Sequence, residues 1–314
     1  EMRNRVNPGL GVHLHARQDS DDFGLFEVAG RGALMTGAGW EMAARSGVRR
    51  VEGIRPGLGL VSSESGPFGE LELNRWWREG TIRGGVTLGV EDSRDFGASP
   101  VFRGSLEARE LGDWSLGLEM RRERAYAFLS AIEAYDYAIQ ADQVAVFTSG
   151  RPARRWSAGA RIEATRFTGD TPSTLRIGGL AAVYRDLAPW ARVGVSTRAL
   201  AFTDPAPFTG DRRVYWDPEL FWVQELPVEV RFGGLEGWSF QARLSPGIGR
   251  IQERDGTEPY WSRQLGLEGG PRYQGDRGSL QLSLFTTRGR EGGYRASGAT
   301  LGVTLRPWAR EGFE

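Results

Sequence analysis

Residues Arg213–Pro246 read RVYWDPELFWVQELPVEVRFGGLEGWSFQARLSP, and this stretch decides the fold. Leu226, Val228, Val230 and Phe232 alternate with Pro227, Glu229 and Arg231. A glycine-bearing turn, Gly233-Gly234-Leu235-Glu236-Gly237, follows. Trp238, Phe240, Ala242 and Leu244 then alternate with Ser239, Gln241, Arg243 and Ser245. Alternation of period two on both sides of a short turn predicts an antiparallel hairpin with one apolar and one polar face.

The same pattern recurs on either side. Leu10, Val12, Leu14 and Ala16 alternate with Gly11, His13, His15 and Arg17. Weaker strands are expected near Leu25–Gly30, Gly32–Ala43 and Val48–Leu60, diluted by glycine and alanine. Phe68–Trp77 with Thr81–Glu91, and Phe102–Leu111 with Trp114–Arg121, form clearer hairpins. Asp92–Pro100 and Thr203–Arg212 are expected as longer polar loops. Ala125–Phe147 reads either as two strands or as a strand with a short helix in a loop. Trp156–Phe167, Leu175–Tyr184, Ala191–Phe202, Tyr260–Glu268, Ser279–Thr287 and Tyr294–Arg306 complete the series. About 16 strands (range 14–18) at roughly 20 residues each account for a single domain over residues 1–314.

Composition narrows the class. The 45 glycines in 314 residues are about twice the usual share, without a collagen period. Charges balance at 40 against 40, so nothing draws the chain to nucleic acid, and every basic residue is arginine. Cysteine is absent, which excludes disulfides and thiolate metal sites. No run of 18 apolar residues occurs, which excludes a membrane-spanning helix. The mean hydropathy of −0.41 resembles that of a soluble protein. In a transmembrane barrel, however, every second residue faces a wet lumen, and the average loses its meaning. Glu1 is not preceded by a signal peptide, so a mature or truncated chain is expected.

Tryptophan placement argues for membrane. Trp40, Trp76, Trp77, Trp114, Trp156, Trp190, Trp238, Trp261 and Trp308 stand at the ends of expected strands, as interfacial girdles require. The apolar positions between them are often small (Ala158, Ala160, Ala199, Gly84), which fills a soluble core poorly. The expected fold is therefore all-β: a transmembrane, antiparallel, up-and-down β-barrel in the bacterial outer membrane, in contact with lipid and lipopolysaccharide. Only a closed barrel leaves no unpaired strand edge in lipid.

The polar face carries Arg83, Arg103, Glu107, Arg109, Glu119, Arg121, Arg161, Glu163, Arg176, Arg192, Arg198 and Arg243, expected to line the lumen. Glu72 and Glu91 share that face. Two readings stand side by side: a hydrated pore holding a polar solute through many weak contacts, or a cross-strand ion-pair lattice that stiffens the wall. Balanced sign argues against strong anion selectivity. Tyr215, Trp216, Trp222, Trp238 and Trp261 are expected in an aromatic girdle, or stacked on sugar rings. His13 and His15 share a strand face, but a third metal ligand is missing, and no metal or other cofactor is expected. With only these two histidines, no hydrolase constellation emerges, and the chain reads as a non-enzyme.

Residues 215–230 (YWDPELFWVQELPVEV) and 237–249 (GWSFQARLSPGIG) resemble the C-terminal barrels of bacterial exopolysaccharide-export porins, of the cellulose and poly-N-acetylglucosamine secretion type. Tyr215, Trp216 and Pro218 match an aromatic-rich Y-(F/W)-x-P segment there, and NPGLGVHLHAR at 7–17 looks like the entry to such a barrel. The resemblance implies a barrel of about 16 strands that passes a polysaccharide outward, preceded by a periplasmic array of tetratricopeptide repeats. No helical repeat occurs in this chain. The expected function is a polysaccharide-exporting pore. Alternatives are a plugged barrel anchoring a surface or periplasmic assembly, and a general diffusion porin.

Overall fold

The computed structural model describes residues 9–20, 22–36, 39–54, 61–77, 81–206, 208–209, 212–213, 215–234, 236–289 and 295–306. Strands β1 (Gly9–Asp19), β2 (Gly24–Met35), β3 (Trp40–Ile54), β4 (Val61–Trp77), β5 (Ile82–Ser93), β6 (Gly97–Leu111) and β7 (Trp114–Arg124) come first. Two short helices, α1 (Tyr126–Leu129) and α2 (Glu133–Asp136), interrupt them. Then come β8 (Gln140–Ala153), β9 (Trp156–Thr168), β10 (Thr174–Ala188), β11 (Ala191–Phe202) and β12, which has two segments, Leu220–Glu225 and Val228–Gly233. Strands β13 (Gly237–Gln252), β14 (Tyr260–Gly275), β15 (Gly278–Gly289) and β16 (Arg295–Leu305) complete the series. Each strand pairs antiparallel with its sequence neighbours, and β1 pairs with β16 from Leu10↔Leu305 to Asp19↔Ala296. The result is a closed 16-strand antiparallel barrel.

The break in β12 has a local cause. Pro227 has no backbone N–H to give the ladder, so pairing lapses at Leu226–Pro227. Its carbonyl still accepts from Gly194 N at 2.9 Å, and Leu226 N donates to Pro246 O at 2.9 Å. Both segments lie between β11 and β13, so they are one strand with an irregularity.

One end of the barrel carries the start of β1, the end of β16 and, among the described residues, short turns such as Gly112–Asp113 and Asp276–Arg277. The other end, called the loop end below, carries the longer connections 125–139, 203–219 and 253–259. In outer-membrane barrels short turns face the periplasm and long loops face outward.

Many glycines are wall positions set close against a neighbouring strand, some of them beneath its rings. A Cβ on Gly117 would lie 2.0 Å from the Phe147 ring, and one on Gly194 would lie 2.6 Å from the Tyr184 ring. This cross-strand cover of bare backbone by aromatic rings accounts for part of the glycine excess. The expected boundary between Gly32–Ala43 and Val48–Leu60 is wrong: Trp40–Ile54 is one uninterrupted strand, with Gly47 set against the β2 backbone at Val28 and Ala29. The polar loop expected at Asp92–Pro100 is a second correction. Strands continue to Ser93 and resume at Gly97, because Ser and Asp there pair across the ladder (Ser93↔Gly97, Glu91↔Ser99). The region 125–147 takes the helix-in-a-loop form, followed by strand.

Candidate functional site

Register assigns every side chain to one wall. The outer face carries Leu10, Val28, Met42, Leu71, Leu88, Leu116, Val146, Ile162, Val195, Phe240, Leu265 and Leu284, all exposed; Leu71 and Ile162 are 68% and 67% exposed. An apolar surface running round the whole barrel is incompatible with water and suits a bilayer. At the short-turn end it is bordered by Trp77, Trp114, Trp156, Trp190 (stacked on Phe232, 5.9 Å) and Trp238 (tilted against Tyr273, 5.3 Å). At the loop end Trp222 meets Trp261 edge-on at 6.3 Å, and Trp216 meets Phe221 at 5.4 Å. Aromatics thus occur at both ends, densely at one and in a single sector at the other. Trp76 turns inward instead, with the Arg83 guanidinium 5.2 Å from its ring. Trp308 lies outside the described residues.

The inner face is a ladder of ion pairs. Arg103 holds Glu123 at 2.7 Å and Glu70 at 3.1 Å, and Arg109 holds Glu107 at 2.8 Å. Glu119 receives Arg121 at 3.4 Å and Arg161 at 2.8 Å. Arg161 also holds Glu163 at 3.0 Å, and Glu163 holds Arg176 at 3.3 Å, so one chain of alternating charge crosses β7, β9 and β10. Arg192 donates to Glu229 at 2.7 Å, while Arg243 lies 3.9 Å from both Glu225 and Glu229, and Arg198 lies 3.9 Å from Glu225. The other sector differs in kind. Strands β15 and β16 turn Ser279, Gln281, Ser283, Thr287, Thr300 and Thr304 inward, and among their described residues no charged side chain shares that face.

The loop end holds the molecule's one large apolar core among the described residues, and it lies inside the barrel. The segment Ala125–Ile139, with α1 and α2, folds inward between the walls. Ala125, Tyr126, Leu129, Ile132, Tyr135 and Ile139 are buried there against Phe23, Val51, Phe167 and Phe202. Seating is tight: a Cβ on Gly53 would stand 2.7 Å from Ile132 Cγ2. Arg17 donates to Ser130 Oγ at 2.8 Å, and Arg176 donates to the Phe128 carbonyl at 3.2 Å, so both sides of the lumen grip the segment.

Beneath it lies a buried polar knot that sequence reasoning largely missed. Arg49 holds Glu27 at 2.6 Å and Glu91 at 2.7 Å, and it also meets the Tyr126 hydroxyl. Arg45 pairs with Glu27 and, at 3.3 Å, with Glu70. The Tyr126 and Tyr135 hydroxyls donate to Glu91 at 3.1 and 2.7 Å, and their rings stack at 5.1 Å. Burial first, and then the Glu91 charge, pushes both phenols well above the usual tyrosine range. Glu27, Arg45 and Arg49 fall in the glycine-diluted strands, and Tyr126 and Tyr135 in the illegible segment; no spacing signal joined them.

The aromatic set expected as one girdle divides. Tyr215 is buried, within 6.2 Å of the Phe167 ring and 5.9 Å of Phe202, and belongs to the inner core. It lies in the connection between β11 and β12, packed into that core and not on the interface, and burial, then Asp217, pushes its phenol up to about 12. Trp216 is exposed and donates to Glu253 at 3.1 Å; Trp222 donates to Thr197 at 2.9 Å on the outer wall. His15 Nδ1 lies 3.0 Å from Thr300 Oγ1 and His13 lies 3.8 Å from Glu27, and no cluster of three metal-binding side chains occurs among the described residues.

At the short-turn end the lumen is hollow. A cavity of about 560 Å³ is lined by Arg151, Arg155, Asp186, Arg192, Glu229 and Arg243, and another of about 500 Å³ by His13, Arg31, Glu41, Arg83, Arg109 and Thr304. The arrangement is a polar chamber whose lining carries more arginine than acid, with the inserted segment packed inside the barrel toward the loop end.

No protein-family profile matches the sequence, and no curated protein matches it. Solved structures do. A bacterial polysaccharide outer membrane secretin superposes with a TM-score of 0.66 at 13% identity, over 95% of this chain and 98% of that one. OpdQ of Pseudomonas aeruginosa aligns with a TM-score of 0.49 at 8% identity, over 96% and 99% of the two chains. OprD of the same organism aligns with a TM-score of 0.49 at 11% identity, over 95% and 93%. At these identities the first likeness establishes the outer-membrane barrel fold.

Proposed function

We propose that the chain is an outer-membrane pore that passes a polar solute through its lumen, and that the solute is a neutral or zwitterionic polysaccharide. The observation that carries this reading is the two-sided inner wall: a ladder of internally neutralised ion pairs faces a strip of hydroxyl and amide groups on β15 and β16. Within that ladder paired charges largely cancel, so a passing ion meets little net field there. Hydroxyls and amides exchange hydrogen bonds with sugar hydroxyls at little net gain, as a track must if its cargo is to keep moving. The superposable secretin, described as a polysaccharide protein, supports the same reading.

A second reading has its own support. The core around Ile132 and Tyr135 fills the lumen at the loop end, as a plugged anchoring barrel would require. The two are separated by conductance in a planar bilayer with and without neutral oligosaccharides. The pore reading predicts openings that neutral oligosaccharide blocks at lower concentration than an acidic oligosaccharide of equal size. Openings insensitive to any sugar would reduce it to a diffusion porin, and silence from the intact barrel would favour the anchor.

A further inference from the structure

Four arginines stand on the outer wall where a lipid-facing barrel should have none without reason. Arg250 on β13, Arg263 on β14, Arg288 on β15 and Arg295 on β16 are all exposed, on consecutive strands at the loop end. Register makes them a continuous patch. Arg288 is directly opposite Arg295. Arg263 faces Ile248, one pair along from Arg250↔Trp261. Arg288 faces Leu265, one pair along from the position of Arg263. Direct partners in a ladder stand ~5 Å apart and diagonal ones ~7–8 Å, so each guanidinium reaches the next.

Among the described residues none of the four is in an ion pair, and the outward positions of these strand segments carry no acid. Elsewhere on the outer wall arginine has a partner within the chain: Arg75 lies over the Trp40 and Trp77 rings and Arg185 over Trp156. Arg50 is paired with Glu52 at 2.6 Å, and Asp142 stands between Arg122 (3.5 Å) and Arg166 in the ladder. Like charges directly opposite on a sheet are destabilising. The Arg288–Arg295 pair is therefore a position that an anion would relieve.

The surroundings say where that anion sits. Arg250 is flanked on its two neighbouring strands by Trp222 and Trp261, indoles that favour the membrane–water boundary. Just below lie exposed Ile248, Leu265, Leu267 and Leu284, which face acyl chains. The patch is thus at headgroup depth, in the leaflet at the loop end. Guanidinium is the side chain suited to phosphate, through paired N–H···O bonds.

We propose that this patch binds the phosphorylated headgroup of an outer-leaflet glycolipid of the lipopolysaccharide type, its phosphates on Arg250, Arg263, Arg288 and Arg295 and its acyl chains on the apolar strip beneath. The inference rests on the outer-membrane reading but not on conduction, so a barrel that passes no current leaves it standing.

The test uses the whole chain folded in an uncharged detergent, with diphosphoryl lipid A, dephosphorylated lipid A and phosphatidylglycerol as probes, and native mass spectrometry as the readout. The R250Q/R263Q/R288Q/R295Q variant should bind diphosphoryl lipid A at least about tenfold more weakly than wild type. R122Q/R166Q, on the balanced part of the wall, should stay within about twofold. Heat-modifiable migration on gels checks folding, and R288Q/R295Q alone serves if the quadruple variant does not fold. Unchanged binding in these variants, equal loss in R122Q/R166Q, or equally tight phosphatidylglycerol binding would each overturn the proposal.

Discussion

The inserted segment is held by a contact small enough to test by addition and subtraction. Gly53 lies on the inner face of β3, where a Cβ would stand 2.7 Å from Ile132 Cγ2 and 3.0 Å from Ile132 Cβ. Ile132 is β-branched and 1% exposed, so it has no free rotamer into which to retreat. Gly53→Ala should therefore push the segment outward, at about 1–3 kcal/mol, the usual range for overpacking a tight site. Spent on docking of the segment alone, that shifts the docked-to-undocked ratio by about 5- to 150-fold. Ile132→Ala should weaken docking by about 2–5 kcal/mol through lost burial and the cavity left behind. In the double variant the new methyl occupies space that Ile132 vacated, so the two effects should fall short of their sum by at least about 1 kcal/mol. Hydrogen exchange of 125–139 reads docking directly, with β13–β16 as the internal reference. Additive effects, or exchange that rises equally in those strands, would show that Gly53 and Ile132 do not form the seat described.

Three further outcomes follow from named positions. Ile162→Arg, in the middle of β9 on the lipid face, should destabilise the barrel in bilayers by about 2–4 kcal/mol in urea titrations, whereas Ser283→Arg on the inner face should change stability far less. Replacing Arg192 and Arg198 with serine leaves Glu225 and Glu229 undercompensated, so reversal potentials across a salt gradient should move toward cation selectivity; an unmoved potential would place those residues off the conduction path. Tyr126 and Tyr135 have folded pKa values above the unfolded one. The docking stability they contribute is therefore complete below about pH 10 and is lost as pH rises through the folded values. Absorbance titration should show two tyrosines that ionise only well above the exposed set, and a late phase that moves to lower pH without disappearing in Glu91→Gln, since burial remains.

The barrel was readable because a lipid-facing wall imposes period two wherever a strand crosses the membrane, and Arg213–Pro246 or Trp156–Phe167 repeat it in plain form. Strands β2 and β3 were blurred by glycine where strands approach closely: a Cβ on Gly47 of β3 would stand 2.1 Å from the Val28 carbonyl of β2. Charged inner positions could be placed on a face but not paired. That Glu119 joins Arg121 to Arg161 depends on a lateral step across strands that no local spacing encodes. The inserted segment was hidden for a further reason: Tyr126, Ile132 and Tyr135 bury themselves against Phe23, Val51 and Phe167, partners distant in sequence. Tyr215 misled in the same way, since an aromatic at the edge of a membrane strand and one folded back into the mouth share a sequence context.

The most direct test of a conducting lumen is single-channel recording of two proteins side by side, the intact chain and one in which residues 125–139 are replaced by a short glycine–serine turn. The account predicts intermittent openings for the first and steady, larger conductance for the second. Silence from both, in barrels that migrate as folded, would contradict it.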